Sequence, residues 1–123
     1  MRPDEQARRA TVEAGGTVLC NVGKGKDDAL VSWARETGVL VYIGRRSLRR
    51  PDLGPTSPWW NPFRVYSELD RVPACEAFAR HLARTPDLLA RLPELHGRVL
   101  GCWCFPRRCH GGEILRALEG ARP

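Results

Sequence analysis

Read for its hydrophobic and polar positions, the chain alternates short apolar runs with segments of helical spacing. Thr17-Val-Leu-Cys-Asn-Val22 is rich in β-formers and follows Gly15-Gly16, which predicts a first strand. Asp27 or Asp28 then caps a helix through Thr37, with Leu30, Trp33 and Ala34 on one face and Gly38 as its stop. Val39-Leu-Val-Tyr-Ile43 is continuously apolar, as expected of a strand covered on both faces. Strand, helix, strand is a βαβ unit, so the two strands are expected to be parallel with a right-handed crossover. A long proline-rich loop from Gly44 to Pro62 lacks periodicity. From Val72 to Ala83, Cys75, Phe78, Ala79 and Leu82 recur at helical spacing, which makes Cys75 a buried small hydrophobe and leaves His81 off the stripe. Thr85-Pro-Asp87 opens a short helix with Leu88, Leu89 and Leu92 inward, and Pro93 ends it. Arg98 to Trp103 is the last strand; Glu113 to Leu118, with Gly120 beyond, is the last helix.

The alternation predicts a small three-layer, Rossmann-like α/β domain with a short, mostly parallel sheet over residues 17–120. Residues 1–16 are polar and read as a flexible N-terminal arm with at most a helical turn. At 123 residues the chain suits a single core. No apolar run approaches the roughly 20 residues needed to span a bilayer. Met1 to Arg9 lacks the apolar centre of a signal peptide, so a cytoplasmic location with no membrane partner is expected. The net charge of +6, mostly arginine, favours anionic partners such as nucleotides or nucleic acid.

Candidate chemistry concentrates near the C-terminus, where Cys102, Cys104, Cys109 and His110 hold three of the five cysteines and one of the three histidines. Strand alternation puts Cys102 and Cys104 on one side and Trp103 on the other. The turn Phe105-Pro-Arg-Arg108 brings Cys109 and His110 back toward them. Four readings follow. Zinc held by Cys102, Cys104, Cys109 and His110 has the right ligand types at tighter than usual spacing, and it leaves out Cys20, Cys75, His81 and His96. Metal-free thiols are the second, Cys109 gaining nucleophilic character from a helix N-terminus and nearby arginines. A Cys104–Cys109 disulfide is the third, and a widened haem-attachment motif, which would require export, is the fourth. An odd cysteine count without a secretory signal favours the first two.

The run Cys102-Trp-Cys-x-Pro-x-x-Cys-His-Gly111, preceded by Leu95-x-Gly-x-x-Leu100, resembles the signature of domain-of-unknown-function family 4326. Val41-Tyr-Ile-Gly-Arg45 and Trp59-x-Asn-Pro-Phe63 match further pieces in the family's order, so the resemblance covers roughly Thr17 to Leu118. Trp60 stands where the family pattern has glycine, and the segment from Asn21 to Val39 is longer than usual. The resemblance implies a fold and brings no activity with it.

In parallel α/β sheets, ligands bind beyond the carboxyl ends of the strands. Three segments leave strand ends here: Gly23 to Lys26, Gly44 to Arg50 and Cys104 to Gly112. Their convergence would gather Lys24, Lys26, Arg45, Arg46, Arg107 and Arg108 around the last helix, where the N–H groups of His110, Gly111 and Gly112 suit a phosphate. Gly23-Lys-Gly-Lys-Asp27 reads as an ordinary turn or a phosphate cradle, without P-loop spacing. Trp59, Asn61 and Phe63 add stacking and polar groups, or else Trp59 and Phe63 plug the core. Three functions fit. One is a nucleotide-binding protein with a hydrolase- or transferase-type step, using Cys109 or a metal-bound water as nucleophile beside His110 and Glu113. Another is a zinc-stabilised nucleic-acid binding module without catalysis, and the third is an interaction protein whose motif is structural.

Overall fold

A computed structural model describes residues 1–120. Among the described residues, β1 (Val18–Asn21), β2 (Leu40–Tyr42) and β3 (Val99–Cys102) form one parallel sheet in the order β1-β3-β2. Val99 pairs with both Val18 and Leu40, so the last strand in sequence is the central one. All four residues of β3 are buried, which accounts for its continuous apolar character.

Helices cover both faces. α2 (Asp28–Glu36) packs on one, where Leu30, Val31 and Ala34 meet Val18, Cys20, Val22 and Val99. α3 (Arg71–Ala83), α4 (Pro86–Arg91) and α5 (His110–Gly120) cover the other, where Phe78, Leu82, Ile114 and Leu118 enclose Ile43, Leu100 and Cys102. Alternation along β3 divides Val99 from Leu100 and Cys102 in this way. Gly38 ends α2 at φ +74°, the left-handed conformation that its position after the last turn requires.

The N-terminal segment differs from the expected arm. Pro3–Glu13 forms a helix, α1, which docks on α2 and β1. Its seat is largely ionic: of its apolar residues only Val12 is buried, whereas Glu5 and the Arg8 side chain reach inward. The Glu5 carboxylate accepts the Leu30 N–H at 2.8 Å, satisfying an orphan donor in the first turn of α2. Arg8 donates to the Leu19 carbonyl at 2.9 Å, closing part of the free edge of β1. Neither aspartate expected to cap α2 makes a side-chain cap bond. Asp27 instead accepts the Asn21 N–H at 2.8 Å and pairs with Arg8 and Arg2 at 2.9 and 2.5 Å. Asp28 accepts the Gly25 N–H at 2.9 Å.

Candidate functional site

The strand ends set the site's geometry. Because β3 is central and β2 is its neighbour, the loops after these two strands lie side by side at the carboxyl edge of the sheet. The side chain of Tyr42 joins them: its hydroxyl donates to the Arg45 carbonyl and accepts the Trp103 Nε1–H, the latter at 2.8 Å. Burial raises the Tyr42 pKa and the bond from Trp103 works the other way, so the phenol stays protonated at neutral pH. A Cβ on Gly44 would lie 2.5 Å from this hydroxyl, which is why the residue between Ile43 and Arg45 is glycine. Two further ties pin the segment after β3. Asn21 Nδ2 donates to the carbonyls of Trp103 and Phe105 at 3.2 and 2.8 Å, and Arg71 Nη1 donates to the Arg108 carbonyl at 3.2 Å.

Between these loops and the start of α3 lies a cavity of about 430 Å³. Arg45, Arg64, Arg71 and Arg108 line it, together with the aromatic residues Phe63, Tyr66 and Trp103. Asn61, Cys75, Cys104, Cys109 and His110 complete much of the wall. Arg71 sits on a bidentate pair with Glu68, at 2.8 and 3.0 Å; that pair, and then Cys104, hold its pKa above the ordinary guanidinium value. Arg45 lies over the Trp60 ring at 4.7 Å, a cation–π contact. Among the described residues, neither Arg45 nor Arg64 has a carboxylate within ion-pair distance.

Of the expected site residues, Arg45, Asn61, Phe63, Cys104, Cys109 and His110 line the cavity. Asn61 is occupied with its own loop, its Oδ1 accepting the Phe63 N–H at 2.9 Å. The others lie elsewhere. Trp59 is 2% exposed and belongs to the core cluster with Leu92 and Leu95. Arg46 is exposed and does not line the cavity, and Arg107 pairs with Glu68 at 2.8 Å. Gly111 serves packing: a Cβ there would meet Leu19 Cδ2 at 2.6 Å and Ile43 Cδ1 at 3.0 Å. Gly112 donates its N–H to the Cys109 carbonyl at 3.0 Å, so that donor is used. Lys24 and Lys26 do not reach the cavity, because β1 is separated from β2 by β3. Their loop is a turn whose N–H groups at Gly23, Gly25 and Lys26 are all satisfied internally.

The proposed chemical centre also differs from expectation. Cys102 and Cys109 share a buried hydrogen bond at 3.5 Å. The bond from Cys109 lowers the Cys102 pKa against its burial, with the Phe105 and Cys104 N–H groups assisting. The same bond, followed by burial, raises the Cys109 pKa, so the thiol facing the cavity is a neutral donor and not the activated nucleophile that the helix N-terminus suggested. His110 Nε2 lies 2.8 Å from the Ile43 carbonyl, which fixes that nitrogen as the protonated one, and its ring packs edge-on against Phe78 at 4.9 Å. Burial lowers its pKa, so it is neutral at pH 7, with the Ile43 and Trp59 carbonyls opposing. Glu113 is buried between Arg108 and Arg116 at 3.0 and 3.3 Å, away from the cavity wall and unsuited to act as a base there. All five cysteines are free. For zinc, Cys102 and Cys109 could supply two thiolates, and the bond from His110 Nε2 to the Ile43 carbonyl leaves Nδ1 as that ring's ligating atom. Among the described residues no three His, Cys, Asp or Glu side chains form a group that could hold a metal ion. As placed, Cys102, Cys104, Cys109 and His110 are not gathered into one four-ligand group.

Sequence reading missed Arg64, Tyr66 and Arg71. The available signal was Ser67-x-x-Asp70, a helix-start pattern in which Asp70 accepts the Ser67 N–H at 3.1 Å and which places Arg71 in the first turn of α3. Among the described residues, no helix is long and apolar enough to cross a membrane.

No solved structure matches the chain. An uncharacterized protein of Acanthamoeba polyphaga mimivirus is 34% identical over 87 residues, 64% of this chain; the chain spans 66% of that protein's length. The family described as Domain of unknown function (DUF4326) matches residues 31–120, which include the Tyr42–Trp103 joint, the arginine-lined cavity and the cysteine-histidine run. The chain belongs to that family.

Proposed function

We propose that the cavity at the carboxyl edge of the sheet binds a nucleoside phosphate. The observation that carries this reading is the meeting of Arg45 and Arg64, both without a carboxylate partner among the described residues, with the exposed rings of Phe63, Tyr66 and Trp103 around one concavity. Its volume of about 430 Å³ falls in the range of about 300–1,000 Å³ typical of small-molecule sites. Arginine recognises phosphate through paired N–H groups, and aromatic faces take a base by stacking. Cys109 and His110 contribute neutral hydrogen-bonding edges to the wall. Much of the signature run is spent on joining α5 to β2 and β3, which favours a structural role for Cys102, Cys109 and Gly111 beneath the binding surface.

Calorimetric titration of the protein with a nucleoside monophosphate, the matching nucleoside and inorganic phosphate tests the reading. The monophosphate is expected to bind saturably at one site and more tightly than either fragment. Equal and weak heats from all three, vanishing with salt, would show only diffuse positive charge.

A further inference from the structure

The cavity is not closed on the side of α3. A groove of about 770 Å³ adjoins it and shares Phe63, Arg64 and Tyr66, continuing over Ala77 and Arg80. A third hollow, of about 430 Å³, shares Phe63 with both and reaches His81 and Arg84. Ala77, Arg80, His81 and Arg84 are spaced three and four apart, so one face of α3 continues the cavity. Along this path Arg64, Arg80 and Arg84 have no carboxylate within ion-pair distance among the described residues. The acid on the groove wall, Asp70, already accepts the Tyr66 and Ser67 N–H groups at 3.0 and 3.1 Å. Tyr66 is 83% exposed between the first two concavities, and Phe63 meets His81 edge-on at 6.3 Å.

We propose that the ligand is the end of a single-stranded nucleic acid, whose terminal nucleotide occupies the cavity and whose next phosphates follow the arginine face of α3; this rests on the nucleotide reading of the cavity. A lone mononucleotide leaves Arg80 and Arg84 unexplained. A strand uses both and shares Tyr66 between neighbouring nucleotides, since alternating cations and exposed rings are what a sequence-tolerant single-strand track requires. A duplex keeps its bases stacked on each other and offers nothing to Tyr66. An acidic peptide would use the arginines and leave the rings idle.

The test titrates a short 5′-phosphorylated oligothymidylate, thymidine monophosphate and polyglutamate against the wild type, Tyr66→Ala and the double variant Arg80→Ala with Arg84→Ala. The oligothymidylate is expected to bind at least tenfold tighter than the monophosphate. The double variant should remove that advantage and lower the salt slope of log K by roughly 1.4, for two single-strand phosphate contacts. Its affinity for the monophosphate should be unchanged. Tyr66→Ala should weaken the oligomer more than the monophosphate. Equal affinity for the two thymidylates, or equal losses for both in the double variant, overturns the strand while leaving the cavity reading standing. Polyglutamate competing as well as the oligomer also overturns it, and the absence of binding by either thymidylate removes both claims together.

Discussion

Tyr42 hydroxyl, Arg45 carbonyl and Trp103 indole make a three-way joint between two loops of the site. Tyr42→Phe keeps the ring and removes both hydrogen bonds, one of them to a half-exposed indole that water can solvate. It should therefore cost about 1 kcal/mol in denaturant unfolding and measurably weaken the nucleotide, whereas unchanged stability and affinity would show the joint to be idle. Asp27 is a different case. Its burial pushes the carboxyl pKa up, but the bonds from Arg8 and the Asn21 N–H and the charges of Arg8 and Arg2 outweigh that and lower it. A folded pKa below the unfolded value near 3.9 means that the contribution is complete above about pH 5 and is lost as pH falls through the folded value. Asp27→Asn should thus destabilise by on the order of 2 kcal/mol at neutral pH, and the gap from wild type should close below about pH 4. A gap that stayed constant to pH 2 would rule out the ion pairs as its source. Among the thiols, Cys20 is fully buried and, mainly through that burial, pushed up to about 12, whereas Cys104 is partly exposed on the cavity wall. Iodoacetamide on the native protein should label Cys104 first and Cys20 last, as read by peptide mass spectrometry. Comparable rates would mean the sheet opens readily.

At the scale of elements, the strands and the amphipathic helices were legible because period and punctuation are local properties, as in Val39-Leu-Val-Tyr-Ile43 and the stripe from Cys75 to Leu82. α1 was not, because Glu5 and Arg8 bury polar groups that read as solvated until Leu30, Leu19 and Asp27 are placed opposite them. Position in the sheet was illegible for the same reason: nothing local marks β3 as central. Gly101 records that position, since a Cβ there would lie 2.5 Å from Cγ1 of Val22, a β-branched and fully packed neighbour. Gly101→Ala should cost about 1–3 kcal/mol by overpacking, and Gly112→Ala, with open space at its Cβ, should be neutral or stabilising. Similar melting temperatures for the two variants would contradict this placement of β3.

For the whole molecule, a charge of +6 says little until it is known which arginines are free. Arg2, Arg8, Arg71, Arg107 and Arg108 spend their charge on Asp4, Asp27, Glu68 and Glu113, so composition overstates the field available to a ligand. Arg8, although it stands in a polar segment, is tied into the fold. Arg49 is the better comparison, being exposed and without an ion-pair partner among the described residues. The central claim is that Arg45 and Arg64 form a shaped anion site beside aromatic rings, and calorimetric titration of a nucleoside monophosphate into the wild type, Arg45→Ala with Arg64→Ala, and Arg49→Ala tests it most directly. A charge-assisted contact contributes about 1.5–3 kcal/mol, so the double variant should lose at least tenfold in affinity while Arg49→Ala stays within twofold at physiological salt. Equal losses in the two variants, or no saturable binding to the wild type, would contradict the account.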